Sequence, residues 1–390
     1  MAAVCFLLGD RSIVKILHLR LLTLSTMPFS HHSHSGQFCG HAQNTLEEMV
    51  QTAISRKFRV FALTEHMPRD RHCDLYPDEV VGDQIETNQT PADLYKIFAA
   101  YYKEAARLKQ AYESEITILI GFECDYIRPS STGVIEDLLR QYHYDLLVGS
   151  VHHVRNIPID YSRPLYEKAR RAAGGTDELV FQDYFDTQFE MLQALKPPIV
   201  GHFDLIRLQS DDPECSFQKW EGVWERILRN LTFIQSYGGL MELNSASLRK
   251  GMSEPYPNAE ISKVFLEKNG RFTLSDDSHS VDQVMLNYDR VLQFVKDVGI
   301  LTLHFLDRGK ASSDSRFPNV SISTMPTAEW EQSISSPILR RVNMKPSFES
   351  EVNGQGESVR ANDIEKRQLL DTPQVLQMTA PATEELYTIA

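Results

Sequence analysis

Between Met27 and Asp307 the chain alternates short apolar runs with longer stretches whose apolar positions recur every three or four residues. The short runs, at 29–34, 60–64, 116–123, 146–150, 199–202, 240–244 and 272–275, have the length and β-branched content of strands. A further run at 300–305 is either an eighth strand or a peripheral one. The longer stretches carry helix punctuation. Thr45 and Glu48 stand three apart as a capping box, with Leu46, Met49, Val50 and Ala53 spaced along one face. Thr90 and Pro91 supply an N-cap and a first helical residue. Trp220, Val223, Trp224, Ile227, Leu228 and Leu231 share a face of a helix that stops at Gly238, and Gly270 is expected just past the end of a later helix.

Strands alternating with helices of this length predict βαβ units and a parallel sheet. Seven or eight such units in about 280 residues predict an α/β fold closed, or nearly closed, as a (β/α)7 TIM-like barrel. After Lys310 the chain turns Ser-, Asn- and Glu-rich, so 310–390 is expected to be a mostly disordered tail with at most a short peripheral helix at 328–339. At the other end, the apolar run of 1–26 is broken by Asp10, Arg11, Lys15 and Arg20 and lacks a secretory core. A weak targeting segment is one reading of it. With Met27 available as a compact start, the other reading is a dispensable or untranslated extension, leaving 27–309 as the catalytic domain.

A net charge of −13 argues against nucleic acid as a bulk partner, which needs a basic face. No apolar run reaches the length of a membrane span. Five cysteines without a C-x-x-C spacing speak against both a disulfide framework and a thiolate zinc site, and suit a reducing, cytoplasmic setting. Nothing in the chain sets an oligomeric state.

The chemistry sits where the strands end. In a β/α barrel these ends converge on one mouth. Here they carry His32 and His34, His66, Glu123, the pair His152 and His153, His202, and Asp277 with His279. Positions i and i+2 of a strand face the same way, so His32 with His34, and Asp277 with His279, can each grip one ion. One H-x-H pair is weak evidence, but its recurrence at successive strand ends is strong in a chain with thirteen histidines. His41 follows on a loop. Of the adjacent pair His152 is the favoured ligand, with His153 facing outward or supporting it, and Glu65 is expected to turn away from His66. His18, His31, His72, His143 and His304 are read as ordinary histidines. Nine candidate ligands exceed the capacity of one ion, so two or three divalent ions are expected, with zinc, manganese and iron all suited to imidazole and carboxylate.

The succession of H-x-H, "LTEHMPR", "GFECDYI", "LLVGSVHHV", "GHFDLIR", "MELNSASLRKG" and a closing D-x-H resembles the polymerase-and-histidinol-phosphatase (PHP) superfamily. Within it the segments are similar to the histidinol-phosphate phosphatases, the fungal ones in particular, over nearly all of 27–307. The resemblance implies a distorted (β/α)7 barrel with three metal ions. His32, His34, Glu123 and Asp277 would surround the first, Glu123, His152 and His202 the second, and His41, His66 and His279 the third. It implies hydrolysis of L-histidinol phosphate in histidine biosynthesis, with Glu123, Asp277 and His41 as catalytic groups. A multi-metal centre supplies hydroxide near neutral pH and clamps the oxygens of an in-line displacement. A guanidinium fork for the phosphoryl group is sought in Arg249 first and Arg207 second. An acidic or aromatic wall involving Tyr126 or Tyr161 would receive the imidazole and ammonium. The alternatives are a PHP-type nuclease, a phosphoesterase of other specificity, an amidohydrolase-type barrel (no lysine ends a strand here), and a degenerate barrel that only binds metal or partners.

Overall fold

The computed structural model describes residues 28–80, 89–309 and 316–334. β1 (Phe29–Ser30), β2 (Val60–Leu63) and β3 (Thr117–Ile120) form one parallel sheet in that order. The chain continues through β4 (Glu123–Asp125), β5 (Val148–Ser150), a small hairpin of β6 (His153–Val154) and β7 (Ile157–Pro158), β8 (Ile199–Val200), β9 (Leu240–Asn244) and β10 (Arg271–Ser275). A second parallel sheet runs β10-β9-β8-β5-β4. Its strands are buried almost throughout, as expected when helices cover a parallel sheet.

The expected third strand is divided between the two sheets. It breaks at Gly121 and Phe122, so that β3 pairs with β2 while β4 pairs with β5. A Cβ on Gly121 would lie 2.7 Å from Leu146, so a side chain there would hold the segments apart. Beyond the break, His66 and Glu123 pair as a single parallel bridge. At the opposite seam His31 N donates to Leu274 O (3.2 Å) and His34 N to Ser278 O (2.8 Å). Backbone bonds therefore join the sheets at both edges, and the strands' C-terminal ends lie at one end of the fold.

The helices start and stop largely where expected. Leu46–Ser55 opens on the Thr45–Glu48 capping box, and Pro91–Ala111 on Thr90 with Asp93 in the reciprocal position. Tyr101, buried on the second of these helices, donates its hydroxyl toward Leu63 O and Gly121 O, each at 2.7 Å. That ties the helix to the strand break. Glu221–Tyr237 ends at Gly238 in the left-handed region (φ 77°). Gly270 needs correction: after Ala259–Glu267 the left-handed residue is Asn269 (φ 58°), a residue type that tolerates this conformation, and Gly270 only closes the turn onto Phe265 O.

The boundary at 310 is also corrected. β11 (Thr302–Arg308) pairs antiparallel with β12 (Val320–Pro326), and the helix Thr327–Ile334 follows. The run at 300–305 thus belongs to a peripheral ribbon, with Phe305 stacked on Phe29 at 4.8 Å. Far from being peripheral, the helix buries Trp330 completely, 6.0 Å from the Tyr288 ring. β12 is Ser- and Thr-rich because it buries only Val320 and Met325 while its other positions face outward. That composition reads as loop although the segment is folded. The expectations for 1–26 and for 335–390 lie outside the described residues. Among the described residues no helix is long and apolar enough to cross a membrane.

Candidate metal centre

Glu123 opens β4 at the centre of the strand ends. Its Oε2 lies 3.2 Å from His32 Nε2, 3.4 Å from His34 Nε2 and 3.1 Å from His66 Nδ1. Its Oε1 faces the other way, 2.9 Å from His202 Nε2 and 3.2 Å from His152 Nε2. One carboxylate therefore addresses two histidine groups through two oxygens, the geometry of a bridging ligand. Asp277 closes the first group, with Oδ1 3.4 Å from His34 Nε2 and 3.7 Å from His32 Nε2. Its backbone is left-handed (φ 46°), a strained state for an aspartate and one typical of functional sites. Arg249 braces that turn by donating to Asp276 O (2.7 Å) and Asp277 O (2.6 Å).

These groups come close without satisfying one another. His32 Nε2 and both ring nitrogens of His34 and of His66 are buried and make no hydrogen bond of acceptable angle. Buried polar atoms in that state are rare and call for a missing partner. The ligand atoms converge in sets: His32, His34 and Glu123; His32, His202 and Asp277; Glu123, His152 and His202; and His34, Cys39, His66 and His279. Imidazole nitrogens with carboxylate oxygens at such spacings fit divalent metal ions. The electrostatics agree. Burial disfavours charge on His34, but the nearby carboxylates of Asp277, Glu123 and Glu65 outweigh it and raise its pKa to about 10. Burial likewise opposes ionisation of Glu123, yet the charge on His32 and His152 holds it well below the usual carboxylate range. His66 and His279 are pushed well below 6.5 by burial and by the charge on His34. The carboxylates therefore stay ionised and demand positive charge in their midst.

A supporting layer was not legible in the sequence. Glu242, fully buried on β9, takes the Nδ1 side of His32 at 3.2 Å and accepts from Ser275 Oγ at 2.7 Å. With Nδ1 so engaged, the His32 Nε2 lone pair is directed at the centre. Asp125 bonds His152 Nδ1 and the buried Arg69 (2.6 Å). Strand alternation was the available signal for Asp125, two residues beyond Glu123. Glu65 turns to Ser35, accepting from its N (2.8 Å) and Oγ (2.6 Å), and lies 3.7 Å from His34 Nδ1.

The other candidates separate clearly. His41 sits at the rim, partly exposed, with Nδ1 3.3 Å from Asp78 Oδ2. Its ring is 5.2 Å from that of His279 and 5.4 Å from that of His66. His153 does not face outward: it is buried against Tyr76, ring centres 5.5 Å apart. Arg207 is corrected from substrate binder to structural residue, because it is buried, pairs with Asp204 (2.8 Å), donates to Pro255 O (2.9 Å) and covers the Tyr256 ring. Tyr126 is buried as well and forms no wall. Tyr161 does, stacking on Tyr76 at 5.9 Å. A cavity of about 500 Å³ opens over the centre, and Arg249, Lys250, Asp160, Tyr76 and Tyr161 line it beside the histidines. His31 is the ordinary core histidine expected, bonded to Leu306 N (3.0 Å) and Thr273 Oγ1 (3.1 Å).

A cluster of imidazoles bridged by a glutamate, at the strand ends of a parallel α/β fold, defines the class of the PHP domain, which matches residues 30–246. Among named relatives, a probable histidinol-phosphatase of Schizosaccharomyces pombe is 43% identical over 300 residues, covering 77% of this chain and 96% of that one. The histidinol-phosphatase of Saccharomyces cerevisiae is 32% identical, covering 69% and 88%. The chain belongs to the histidinol-phosphatase family of PHP-domain proteins. A solved Lactococcus lactis histidinol phosphate phosphatase, complexed with zinc, L-histidinol and phosphate, shares the fold at a TM-score of 0.52 and 19% identity, covering 70% of this chain and 94% of that one.

Proposed function

We propose that this chain is a metal-dependent phosphomonoesterase that converts L-histidinol phosphate to L-histidinol and phosphate, a step of histidine biosynthesis, in the cytoplasm. The observation that carries the reading is the division of the Glu123 oxygens between two histidine groups beneath an arginine-lined cavity. His32, His34, Glu123 and Asp277 would hold one ion, and Glu123, His152 and His202 a second. His66 and His279 would face a third, with His41 at its edge. Zinc, manganese and iron all suit these donors. Bound there, such ions supply hydroxide near neutral pH and offset the charge of the phosphoryl oxygens.

The remaining work falls to side chains. Arg249, held by two backbone carbonyls, keeps guanidinium N–H groups for a phosphoryl oxygen. His41, backed by Asp78 at Nδ1, gives the proton that the leaving alkoxide needs. Asp160 and the stacked rings of Tyr76 and Tyr161 offer negative charge and π-faces to an ammonium and an imidazole. The two sheets, joined at both seams, read as one distorted seven-stranded barrel. We take the catalytic body to run from 27 to 334, with 1–26 dispensable, and expect neither nucleic acid nor membrane as a partner.

The test is phosphate release from L-histidinol phosphate by the purified protein, before and after chelation and after return of zinc or manganese. Metal-dependent turnover far above that on an aryl phosphate is expected, and His34→Ala or Asp277→Ala should abolish it without unfolding the protein. Hydrolysis of the aryl ester alone would discard histidinol as substrate. Hydrolysis of neither, with metal bound, would discard the phosphatase reading in favour of a nuclease.

A further inference from the structure

The sequence, lacking any C-x-x-C, spoke against a thiolate ligand, yet the fold brings one sulfur into the metal centre. The loop after His34 returns Cys39 to the wall of the site, where its side chain is buried. Cys39 Sγ, His34, His66 and His279 offer ligand atoms that all lie within 4.8 Å of one another. Three of these neighbours are packed ring to ring, His34 lying 4.4 Å from both His66 and His279. The sulfur also lies 3.3 Å from His41 Nε2. Donors around a tetrahedral zinc, with bonds of about 2.0–2.3 Å, stand roughly 3.3–3.6 Å apart, so four ligand atoms already within 4.8 Å of one another are near the spacing that a shared ion needs. Independently of the cysteine, both nitrogens of the buried His34 and of His66 lack a hydrogen-bond partner. The set therefore has unused nitrogen lone pairs as well as a sulfur.

We propose that Cys39 is a ligand of the ion held by His66 and His279, making this position a mixed thiolate–imidazole site that prefers zinc to manganese. This rests on the metal-centre reading of the proposed function. On binding, the Cys39 thiol loses its proton to solvent and the thiolate donates an electron pair to the ion, with no change of oxidation state. Sulfur is the soft donor here, so it biases the position toward zinc, while the imidazole–carboxylate positions around Glu123 remain open to manganese and iron. One enzyme could then carry two kinds of ion, set by a single side chain.

The experiment is cobalt(II) substitution of the full-length protein, read by absorption together with metal stoichiometry. The expected result is a thiolate-to-cobalt charge-transfer band in the near ultraviolet that disappears in Cys39→Ser, while the visible bands of cobalt on nitrogen and oxygen ligands persist. Zinc affinity at that position should fall by at least about 10-fold in the same variant. Cobalt bound without the band overturns the proposal, as does a band that survives in Cys39→Ser and so belongs to Cys5, Cys73, Cys124 or Cys215. The wild-type spectrum needs no variant to fold. Phosphate release from L-histidinol phosphate, measured separately, tests the phosphatase reading, so the two can fail independently.

Discussion

Glu242→Gln isolates the contribution of the supporting layer to the metal centre. Glu242 belongs to none of the converging ligand sets; its carboxylate lies 3.2–3.3 Å from His32 Nδ1 through both oxygens and also accepts from Ser275 Oγ and Asn244 Nδ2. The glutamine keeps the size of the side chain and an oxygen that can accept from Nδ1–H or from Ser275 Oγ. What it removes is a full negative charge on a fully buried group. That charge makes the His32 imidazole more basic and fixes its tautomer, and losing such a partner weakens metal affinity by about 10–100-fold. The corresponding free energy is about 1.4–2.7 kcal/mol, at 1.36 kcal/mol per factor of ten. The assay is a zinc titration against a competing chelator at pH 7.5, with circular dichroism to establish that the variant is folded. A loss confined to the sites that share His32 is expected. Affinity within twofold of wild type in a folded variant would refute the reasoning, since His32 would then need neither the charge nor the orientation.

Four further outcomes are expected. Arg207→Met should lose roughly 3–5 kcal/mol of stability, because Asp204 is left buried without its partner, yet keep its activity per folded molecule; Arg249→Met should lose about 100-fold or more in kcat/KM. Denaturant titrations and phosphate release at low temperature separate the two, and a stable but inactive Arg207→Met would restore Arg207 as a substrate binder. Trp330→Ala should cost about 3–5 kcal/mol, measured by urea unfolding, and a neutral result would mean that the segment after residue 316 is not part of the folded body. His31 is held down to about 4 by burial, against 6.5 in the unfolded chain, so below pH 6.5 the unfolded state takes up its proton first. Its contribution to stability is present above pH 6.5 and is lost as the pH falls toward 4, by roughly 3 kcal/mol. Metal-free wild type should show that loss relative to metal-free His31→Gln, and parallel stability curves for the two would contradict it.

Periodicity exposed the strands because both faces of a parallel sheet are buried, which leaves runs such as "VFAL" free of polar interruption. It failed where burial was one-sided. β12 hides two of its apolar side chains and exposes Ser, Ile and Thr, so its composition resembled the disordered tail assigned to it. The division of the third strand was also invisible, since "ITILIGFE" reads as one continuous strand and only Gly121 hints that the chain changes partner.

The site divides along a physical line. In a parallel fold the strand ends converge, so His32, His34, His66, Glu123, His152, His202, Asp277 and His279 could be picked out from position and residue type together, whereas the loop residue Cys39 could not. The groups that steer them obey no such rule. Glu242 lies in mid-strand with its carboxylate turned to His32, and Arg69 reaches Asp125 from across the chain. Both are single charged residues whose partners are 210 and 56 positions away. Arg207 and Arg249 look alike in sequence, each following an apolar residue shortly after a strand end, and only packing separates them. One is enclosed by Asp204, Tyr256 and backbone carbonyls, whereas the other is braced at the cavity wall. A guanidinium can serve a substrate only if the fold leaves some of its donors unspent. That is a property of three-dimensional enclosure, which strand-end position does not encode.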